Sequence, residues 1–346
     1  MFRRLTKWFV RVGLFSVMLL VTIQCTPAAN IQNQVTSADS NGELKSIVIS
    51  EPAHNLGYLP LYAAINEGFF ENAGLDVETL LAVGGGHVTT VISDDAWGFI
   101  GGPESAAFAN QKGQNIKTIV NVVNRANVYM VARTGLEPPA SNSDEELRAF
   151  LDGKTVVGGR YGGTPNLLAR YLITSVGLTP GEDVKMIELA DGSAVNAQMQ
   201  QEGDVAYVAE PQITTGIQQG IWGEPFFSFP EALGDYAYST INVKETTYNA
   251  DPEMAEDFVS ALIEGIHFIN ENPEEALRIA KQEFPAMDET QVKAALDRAY
   301  QDNLWTKDGS VSQKALENAM DIPTAAGLYK GTYTYDALVD MAFIKS

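Results

Sequence analysis

"VVGGRYGGTPNLLARYLI", residues 156–173, places two glycine pairs between an apolar run and the start of a helix. Glycines after a strand let backbone N–H groups approach a ligand, and the following helix adds the positive end of its dipole. The glycine spacing matches neither the dinucleotide fingerprint G-x-G-x-x-G nor a phosphate loop ending in Gly-Lys-Ser/Thr. The helix start is well marked, because Thr164 can cap it and Pro165 suits its first position. The stretch predicts a strand, a glycine loop and a helix, and it argues against a nucleotide site.

The N-terminus predicts export from the cytoplasm. Its basic residues are Arg3, Arg4, Lys7 and Arg11. They precede an apolar run, residues 12–23, that is shorter than the roughly 20 residues a membrane-spanning helix needs. Residues 1–24 are therefore interpreted as a signal peptide.

Cys25 follows this segment directly and is the only cysteine, so the chain as written cannot form an intrachain disulfide. The junction resembles the lipobox of bacterial lipoproteins, which implies that Cys25 becomes the lipid-modified N-terminus. Gln24 departs from the Gly, Ala or Ser usual before that cysteine, and an ordinary signal peptide cut nearby is the alternative. Residues 25–44 are polar and aperiodic, as expected of a tether. The expected location is the outer face of the cell membrane.

The net charge argues against two classes of partner, and the chain length allows two lobes. The 346-residue chain has a net charge of −21, and loss of residues 1–24 with their four basic groups leaves a still more acidic protein. Such a surface argues against binding nucleic acid or anionic lipid. About 300 residues after cleavage suffice for two lobes with their own cores.

Strands and helices alternate, and the pattern occurs twice. In the first half, strand "DVETLLAV" (76–83) leads to a Gly84-Gly85-Gly86 loop, a short helix, strand "AWGFIGG" (96–102) and Pro103. In the second half, strand "VKMIEL" (184–189) leads to a loop, a helix, strand "VAYVAE" (205–210) and Pro211. This weak internal similarity predicts two parallel sheets flanked by helices, with ligand sites beyond the carboxyl ends of the strands.

Several stretches together resemble one protein family. They are "HNLGYLPLYAAINEGFFENAGLDVETLLAVGGG", "GGPESAAFANQKGQNI", "KTVVGGRYGGTPNLLARYLITSVGL" and "EGDVAYVAEPQITTGIQQG". The chain from about residue 45 to its end resembles the solute-binding proteins of bacterial importers for alkanesulfonates, taurine, nitrate, thiamine-precursor pyrimidines and riboflavin. The resemblance implies an α/β, two-lobed type II periplasmic-binding-protein fold, each lobe a mainly parallel sheet flanked by helices, with the ligand cleft between lobes. Crossings are expected near residues 129–133 and 238–243. Residues 45–133 and 237–346 then form lobe I, and residues 134–236 form lobe II.

The resemblance also implies which residues reach the ligand. The candidates are Asn55, Tyr58, Tyr62, Glu104, Ser105, Arg160, Tyr161, Gly162, Gly163, Thr164 and Glu210. The loop of Gly162 to Thr164 is expected to aim helix N–H groups at a polar or anionic part of the ligand, with Gly84 to Gly86 as its counterpart. Trp97 and Tyr207 lie inside strands and are expected in the core. The three histidines, His54, His87 and His267, lack metal-ligand spacing, so neither a metal nor a cofactor is expected.

The ligand class has two candidates. A planar heteroaromatic, riboflavin or a thiamine-precursor pyrimidine, would stack on Tyr58, Tyr62 or Tyr161 and bond at its edges to groups such as Asn55, Asn166 and Glu104. An alkanesulfonate, taurine or a similar anion would need a basic group, and Arg160 is the obvious one, with Arg125 second. The wording "HNLGYLPLYAA" is closer to the pyrimidine and flavin members, which favours the heteroaromatic.

A binding role is favoured over catalysis. Pyrimidine synthases on this fold use several cysteines, whereas this chain has one, and menaquinone-precursor enzymes lack an export signal. A sensor module would usually carry further domains, and no Ser-His-Asp, paired-carboxylate or Cys-His pattern stands out. The expected protein is a monomer that delivers its ligand to an ABC import permease.

Overall fold

Two five-stranded sheets form the framework of the protein. The computed structural model describes residues 43–345. The first sheet has the order β2-β1-β3-β10-β4 and the second β7-β6-β8-β5-β9. The strands are β1 Lys45–Glu51, β2 Leu75–Leu81, β3 Gly98–Gly101, β4 Ile116–Arg125, β5 Tyr129–Ala132, β6 Thr155–Gly159, β7 Lys185–Leu189, β8 Val205–Val208, β9 Phe227–Ser228 and β10 Asp235–Lys244.

Fifteen α-helices connect and cover these strands within the described residues. They are α1 Leu59–Asn66, α2 Phe69–Asn72, α3 Gly86–Ile92, α4 Pro103–Asn110, α5 Asp144–Leu151, α6 Thr164–Ser175, α7 Val195–Gln201, α8 Gln212–Gln218, α9 Phe229–Leu233, α10 Glu245–Ala250, α11 Pro252–Glu271, α12 Pro273–Glu283, α13 Glu289–Gln301, α14 Gln313–Ala325 and α15 Tyr335–Leu338. Short 3-10 turns occupy Leu56–Tyr58 and Gly192–Ala194. None of the helices in residues 43–345 has the length and apolarity needed to cross a bilayer.

The two sheets share one pairing pattern. In the first, β1 pairs in parallel with β2 and β3, while β10 runs antiparallel to β3 and β4. In the second, β6 pairs in parallel with β7 and β8, while β5 runs antiparallel to β8 and β9. The predicted α/β architecture is confirmed, and the internal similarity has its structural counterpart in these matching sheets.

The chain changes sheets earlier than the sequence suggested. It leaves the first sheet after β4 and enters the second at β5, then returns between β9 and β10. The segments expected to cross, 129–133 and 238–243, are largely strand, because the run Tyr129–Ala132 is fully buried and pairs with β8. We therefore propose lobe I as residues 43–125 and 235–345 and lobe II as residues 129–228, in place of boundaries at 133 and 236.

Helix α6 begins one residue earlier than predicted, because its N-cap is Gly163 and not Thr164. Gly163 occupies the N-cap position with extended backbone and no side-chain cap, while Thr164 is already helical. Pro165, predicted as the first helical residue, is the second. The preceding Gly162 has φ of +72°, a left-handed conformation that favours glycine. Because Thr164 is not needed as a cap, its hydroxyl is available to a partner elsewhere.

Each lobe buries apolar side chains between its sheet and helices. In lobe I, strand residues such as Ile47 and Ile49 pack with helix residues such as Leu262 and Leu296. In lobe II, Val156 and Val205 join α6 residues, including Leu168. Helix α14 contacts β10 and α4 of lobe I and α6 of lobe II. These cores hold the carboxyl ends of both sets of parallel strands in fixed positions.

Candidate ligand-binding cleft

A cavity of about 180 Å³ lies where the loops of both lobes meet. From lobe I it is lined by the loops after β1, β2 and β3 and by part of β10; from lobe II it is lined by the loops after β6, β7 and β8. These are the carboxyl ends of the parallel strands, where open α/β sheets place their ligands. We call this cavity the cleft.

Six of the predicted site residues line the cleft. They are Asn55, Tyr58, Ser105, Arg160, Gly163 and Thr164. The other five, Tyr62, Glu104, Tyr161, Gly162 and Glu210, are not on its wall. Gly84, from the counterpart loop, is on the wall, and so is Tyr207, whose buried hydroxyl donates to the Gly159 carbonyl. Trp97 packs against Phe258 in the core of lobe I, as expected.

Asn55 and Tyr58 stand on the 3-10 turn after β1. The Asn55 side-chain oxygen accepts from the Gly57 N–H at 2.7 Å, which fixes the turn. The Tyr58 hydroxyl is hydrogen-bonded to Ser239, which also lines the cleft. Burial raises the pKa of Tyr58 far above its ordinary value, so the phenol stays neutral and can present its ring to a ligand.

Tyr62 supports this turn from behind instead of facing the cleft. Its hydroxyl donates to Glu51 Oε2 at 2.6 Å and accepts from the Asn55 N–H at 3.3 Å. The His54 ring stacks on the Tyr62 ring with centroids 4.5 Å apart. His54 also contacts Glu283 Oε2 at 3.3 Å and Glu51 Oε1 at 3.2 Å. These two carboxylates raise the pKa of His54 to about 9, so a charged imidazolium ties the loop to α12.

Glu104 lies beneath the cleft wall in the first turn of α4, with 1% of its surface exposed. Its Oε1 accepts a hydrogen bond from the Thr164 hydroxyl of lobe II, and its Oε2 has no partner. Burial raises the pKa of this carboxyl to about 7, although Thr164 and Arg160 oppose the shift. A Cβ at Gly102 would overlap this carboxylate, so the packing requires glycine there. Glu104 therefore joins the lobes.

Arg160 reaches across the cleft toward lobe I. Its guanidinium carbon lies 3.6 Å from the position a Cβ would take on Gly85, so the two glycine loops meet through this side chain. Among residues 43–345, no carboxylate is within ion-pair distance of it. Partial burial lowers the pKa of Arg160, yet an arginine remains charged at neutral pH. The cleft therefore contains a cation whose charge a bound group could neutralise.

Tyr161 and Gly162 belong to the outer part of the same loop. Tyr161 is 54% exposed, and the Arg170 guanidinium lies 4.8 Å above its ring. The Gly162 N–H donates to the Asn166 side-chain oxygen at 3.0 Å. Asn166 in turn donates to Glu188 and Tyr207, so it braces the loop and does not line the cleft. The second basic candidate, Arg125, is paired with Asp235 away from the cleft.

Helices α4 and α6 both point their N-termini at the cleft. Their N-cap residues, Gly102 and Gly163, carry no capping side chain, and both line the cavity. Uncapped N–H groups and the positive ends of the helix dipoles favour a negative or hydrogen-bond-accepting group. At α6 this preference is reinforced by Arg160, whereas the first turn of α4 already holds the Glu104 carboxyl and Pro103 has no N–H to offer.

Several cleft residues were missed by the sequence analysis, including His87, Tyr238 and Ser239. His87, 2% exposed, lines the wall with an unpartnered Nδ1, and burial followed by Arg160 lowers its pKa to about 4. Its position directly after the Gly84 to Gly86 loop is the sequence signal that places it at the cleft. Tyr238 and Ser239 line the cleft from β10, which had been predicted to be a crossing. In the part of the chain described, no three His, Cys, Asp or Glu side chains are grouped as metal ligands.

Glu210 is not on the cleft wall and is 4% exposed. Its oxygens accept from the Thr214 N–H at 3.1 Å, the Thr214 hydroxyl at 3.0 Å and Arg298 Nε at 3.0 Å. Arg298 belongs to α13 of lobe I, so Glu210 forms an ion pair between the lobes.

Residues 55–276 match the model of a family described as NMT1/THI5 like. This chain belongs to the NMT1/THI5-like family. A curated relative, named "Putative binding protein YtlA" of Bacillus subtilis (strain 168), is 25% identical over 302 residues, covering 86% of this chain and 88% of YtlA.

Solved structures share the fold at low identity. The ligand-binding component of an ABC-type import system from Staphylococcus aureus, with zinc bound, has a TM-score of 0.70 at 14% identity, covering 87% of this chain and 98% of its own. The alkanesulfonate-binding protein SsuA from Xanthomonas axonopodis pv. citri, bound to MOPS, has a TM-score of 0.68 at 14% identity, covering 87% and 99%. The predicted resemblance to importer solute-binding proteins is confirmed, and so is the fold.

Proposed function

We propose that this protein is the solute-binding component of an ABC importer, which captures one small molecule between lobes I and II and delivers it to a transmembrane permease. The observation that carries the proposal is a cleft built from the strand-end loops of both lobes. A site divided in this way can hold and release a ligand by movement of one lobe against the other. The role is binding without catalysis, and the acting unit is a monomer.

The first candidate ligand is a small planar heteroaromatic of single-ring size. Tyr58, Tyr238 and His87 supply flat walls, and Asn55 and Ser105 can bond to ring edges. A volume of about 180 Å³ is below the roughly 300–1,000 Å³ of pockets for drug-sized ligands. A thiamine-precursor pyrimidine therefore suits the cleft better than riboflavin. Two of the three tyrosines expected to stack on riboflavin, Tyr62 and Tyr161, do not line the cleft.

The second candidate is a small organic anion such as an alkanesulfonate or taurine. Arg160, without an ion pair among the described carboxylates, and the uncapped N-terminus of α6 favour it. Binding of a heteroaromatic should depend on Tyr58, and binding of an anion should depend on Arg160, so substitutions at these two residues distinguish the candidates.

Calorimetric titration of the purified protein with the pyrimidine, riboflavin, taurine and an alkanesulfonate tests the proposal. For a heteroaromatic, Tyr58→Leu should weaken binding about tenfold or more, since it removes a stacking face. For an anion, Arg160→Gln should do so, while Arg148→Gln, whose arginine bonds to the Val176 carbonyl beyond the far end of α6, should leave affinity unchanged. Mass spectrometry of any copurified ligand provides an independent check. A protein that binds none of these solutes and carries no small molecule from its host would contradict the proposal.

We also propose that Cys25 anchors the protein to the outer face of the membrane through lipid. Residues 1–24, the proposed signal peptide, the Cys25 position and nearly all of the 25–44 tether lie outside the described residues. Cys25→Ser should move the protein from the membrane fraction to the soluble fraction and leave ligand affinity unchanged. A variant that stays with the membrane would refute lipid anchoring without affecting the binding proposal.

A further inference from the structure

One face of helix α13 makes a series of contacts with lobe II. Arg298 Nε donates to Glu210 Oε1 at 3.0 Å, and Arg298 Nη2 donates to Glu224 Oε2 at 2.8 Å. One turn later, Asp302 accepts from the Tyr129 hydroxyl, and two turns earlier Gln291 donates to Gln218. Spacings of four and seven residues place Gln291, Arg298 and Asp302 on the same side of the helix.

The helix itself belongs to lobe I. Val292, Ala295 and Leu296 are buried in the main apolar cluster of that lobe. Its partners Glu210, Glu224, Tyr129 and Gln218 all lie in the lobe II segment, residues 129–228. Because α13 is fixed on one side, its polar contacts hold lobe II at a defined angle.

Arg298 is connected to the cleft through the turn between β8 and α8. Glu210 stands in this turn between Ala209 and Gln212, both of which line the cleft, whereas neither Glu210 nor Arg298 does. Arg298 also lies against the Tyr129 ring, 5.8 Å from its centroid. A guanidinium is planar and carries donors on several nitrogens, so it can serve two carboxylates at once, which a lysine ammonium on a flexible stem does less well.

We propose that Arg298 is a positioning residue of this site: by pairing with Glu210 and Glu224 across the lobes, it holds the β8–α8 turn over the cleft and favours the closed arrangement of the two lobes. The expected effect of Arg298 on ligand affinity rests on the proposed solute-binding function. Its effect on the lobes themselves does not depend on a ligand. Without Arg298, Glu210 would keep only its bonds to Thr214, and hydration of the carboxylate would favour separation of the lobes.

The test compares Arg298→Ala with a matched control, Arg278→Ala. Arg278 likewise pairs with two carboxylates, Glu67 and Glu275, but all three residues lie in lobe I. In the Cys25→Ser background, spin labels on cysteines at the exposed positions Thr89 and Ser193 report the distance between lobes. Arg298→Ala should lengthen or broaden this distance with and without ligand and weaken ligand binding about tenfold or more, mainly through faster dissociation. Arg278→Ala should leave the distance unchanged and affinity within about twofold.

Milder variants keep the test decisive if Arg298→Ala fails to fold. Glu210→Gln keeps the shape and removes the charge, and Glu224→Gln does the same at the more exposed partner; each should shift the distance distribution in the same direction by a smaller amount. Arg298→Lys should fall between the wild type and Arg298→Ala. If Arg298→Ala folds and its distance distribution matches the wild type, the inference is wrong. If Arg298→Ala does not fold, an unchanged distribution in both glutamine variants would overturn the inference. If no solute binds the wild type, the proposed function fails, and the ligand-free distances still decide whether Arg298 holds the lobes.

Discussion

Burial of the Glu104 carboxyl makes the stability of the folded protein depend on pH. The groups facing this carboxyl are Thr164 and Arg160 from lobe II and the phenols of Tyr58, Tyr236 and Tyr238 from lobe I. Its pKa rises from 4.5 to about 7 because folding removes the carboxyl from water. The folded protein then binds a proton that the unfolded chain releases between these two pH values. This contribution to the free energy of unfolding is most favourable below pH 4.5 and is lost as pH rises to about 7.

Glu104→Gln should therefore remove a pH dependence. Between pH 4.5 and 7, the wild type should lose up to about 3 kcal/mol relative to the variant, since a tenfold difference in proton affinity between the folded and unfolded states corresponds to about 1.4 kcal/mol. Glutamine still accepts the Thr164 hydroxyl bond, so the lobes remain joined. Urea unfolding of both proteins across this range measures the difference, in which other titrating groups cancel. Parallel stability profiles for the two proteins would show that Glu104 does not titrate as inferred.

His54 should also make the free energy of unfolding fall as pH rises, but over a higher pH range. Glu283 and Glu51 raise its pKa from 6.5 to about 9, so its stabilisation is complete below pH 6.5 and lost as pH rises through 9. Because a third of the side chain is exposed, solvent screens the ion pairs and we expect a contribution of about 1 kcal/mol. Urea unfolding of the wild type and His54→Gln between pH 6 and 9.5 measures it, with His267→Gln as the control. A His54→Gln profile that keeps the wild-type slope would exclude the imidazolium as the cause.

At the scale of elements, the loop between β6 and α6 depends on one left-handed glycine. Gly162 has φ of +72°, whereas Gly159 at the end of β6 has no positive φ and open space where a Cβ would lie. Gly162→Ala should lower the free energy of unfolding by about 1 kcal/mol, because a side chain at positive φ is strained. Gly159→Ala should be nearly neutral. Chemical denaturation of both variants checks the difference, and equal effects would mean that the backbone conformation is not what selects glycine at 162.

The same elements explain which features could be predicted from the sequence. Strand β6, the glycine loop and α6 were recognised because their signals are local: an apolar run, glycines, and proline at the helix start. The crossings were misplaced because β5 and β10 run antiparallel at the boundary between sheets, and periodicity does not reveal which sheet a short apolar strand joins.

The prediction of individual site residues was limited in the same way, because the sequence signals are local. Loops next to a strand end identified Asn55 and Arg160, since position along the chain suffices to place them at the cleft. The roles of Glu104 and Glu210 were not accessible in this way. Their partners, Thr164 and Arg298, are 60 and 88 residues away in sequence, and a carboxylate beside a cleft has the same local pattern whether it binds a ligand or pairs across lobes.

For the whole molecule, the contacts across the cleft predict a movement of the lobes. Two short segments join lobe I to lobe II, and the contacts across the gap include polar ones, the Thr164–Glu104 hydrogen bond and the Arg298 ion pairs. Interfaces between the parts of one chain usually permit relative movement, so the lobes are expected to open and close about these contacts. A ligand that touches both lobes binds the closed arrangement more tightly and shifts the population toward it.

Saturating ligand should therefore both reduce the radius of gyration of the protein and increase its free energy of unfolding. At a free concentration of about 100 times the Kd, the free energy of unfolding should rise by about 2.7 kcal/mol, and the melting temperature should rise with it. X-ray scattering should show a smaller radius of gyration in the same samples, whereas a solute that does not bind should change neither. Stabilisation by a tight ligand with identical scattering curves would mean that the lobes are already closed without it. In that case entry of the ligand would have to depend on movement of the cleft loops alone, since lobe rotation would no longer be available to open the site.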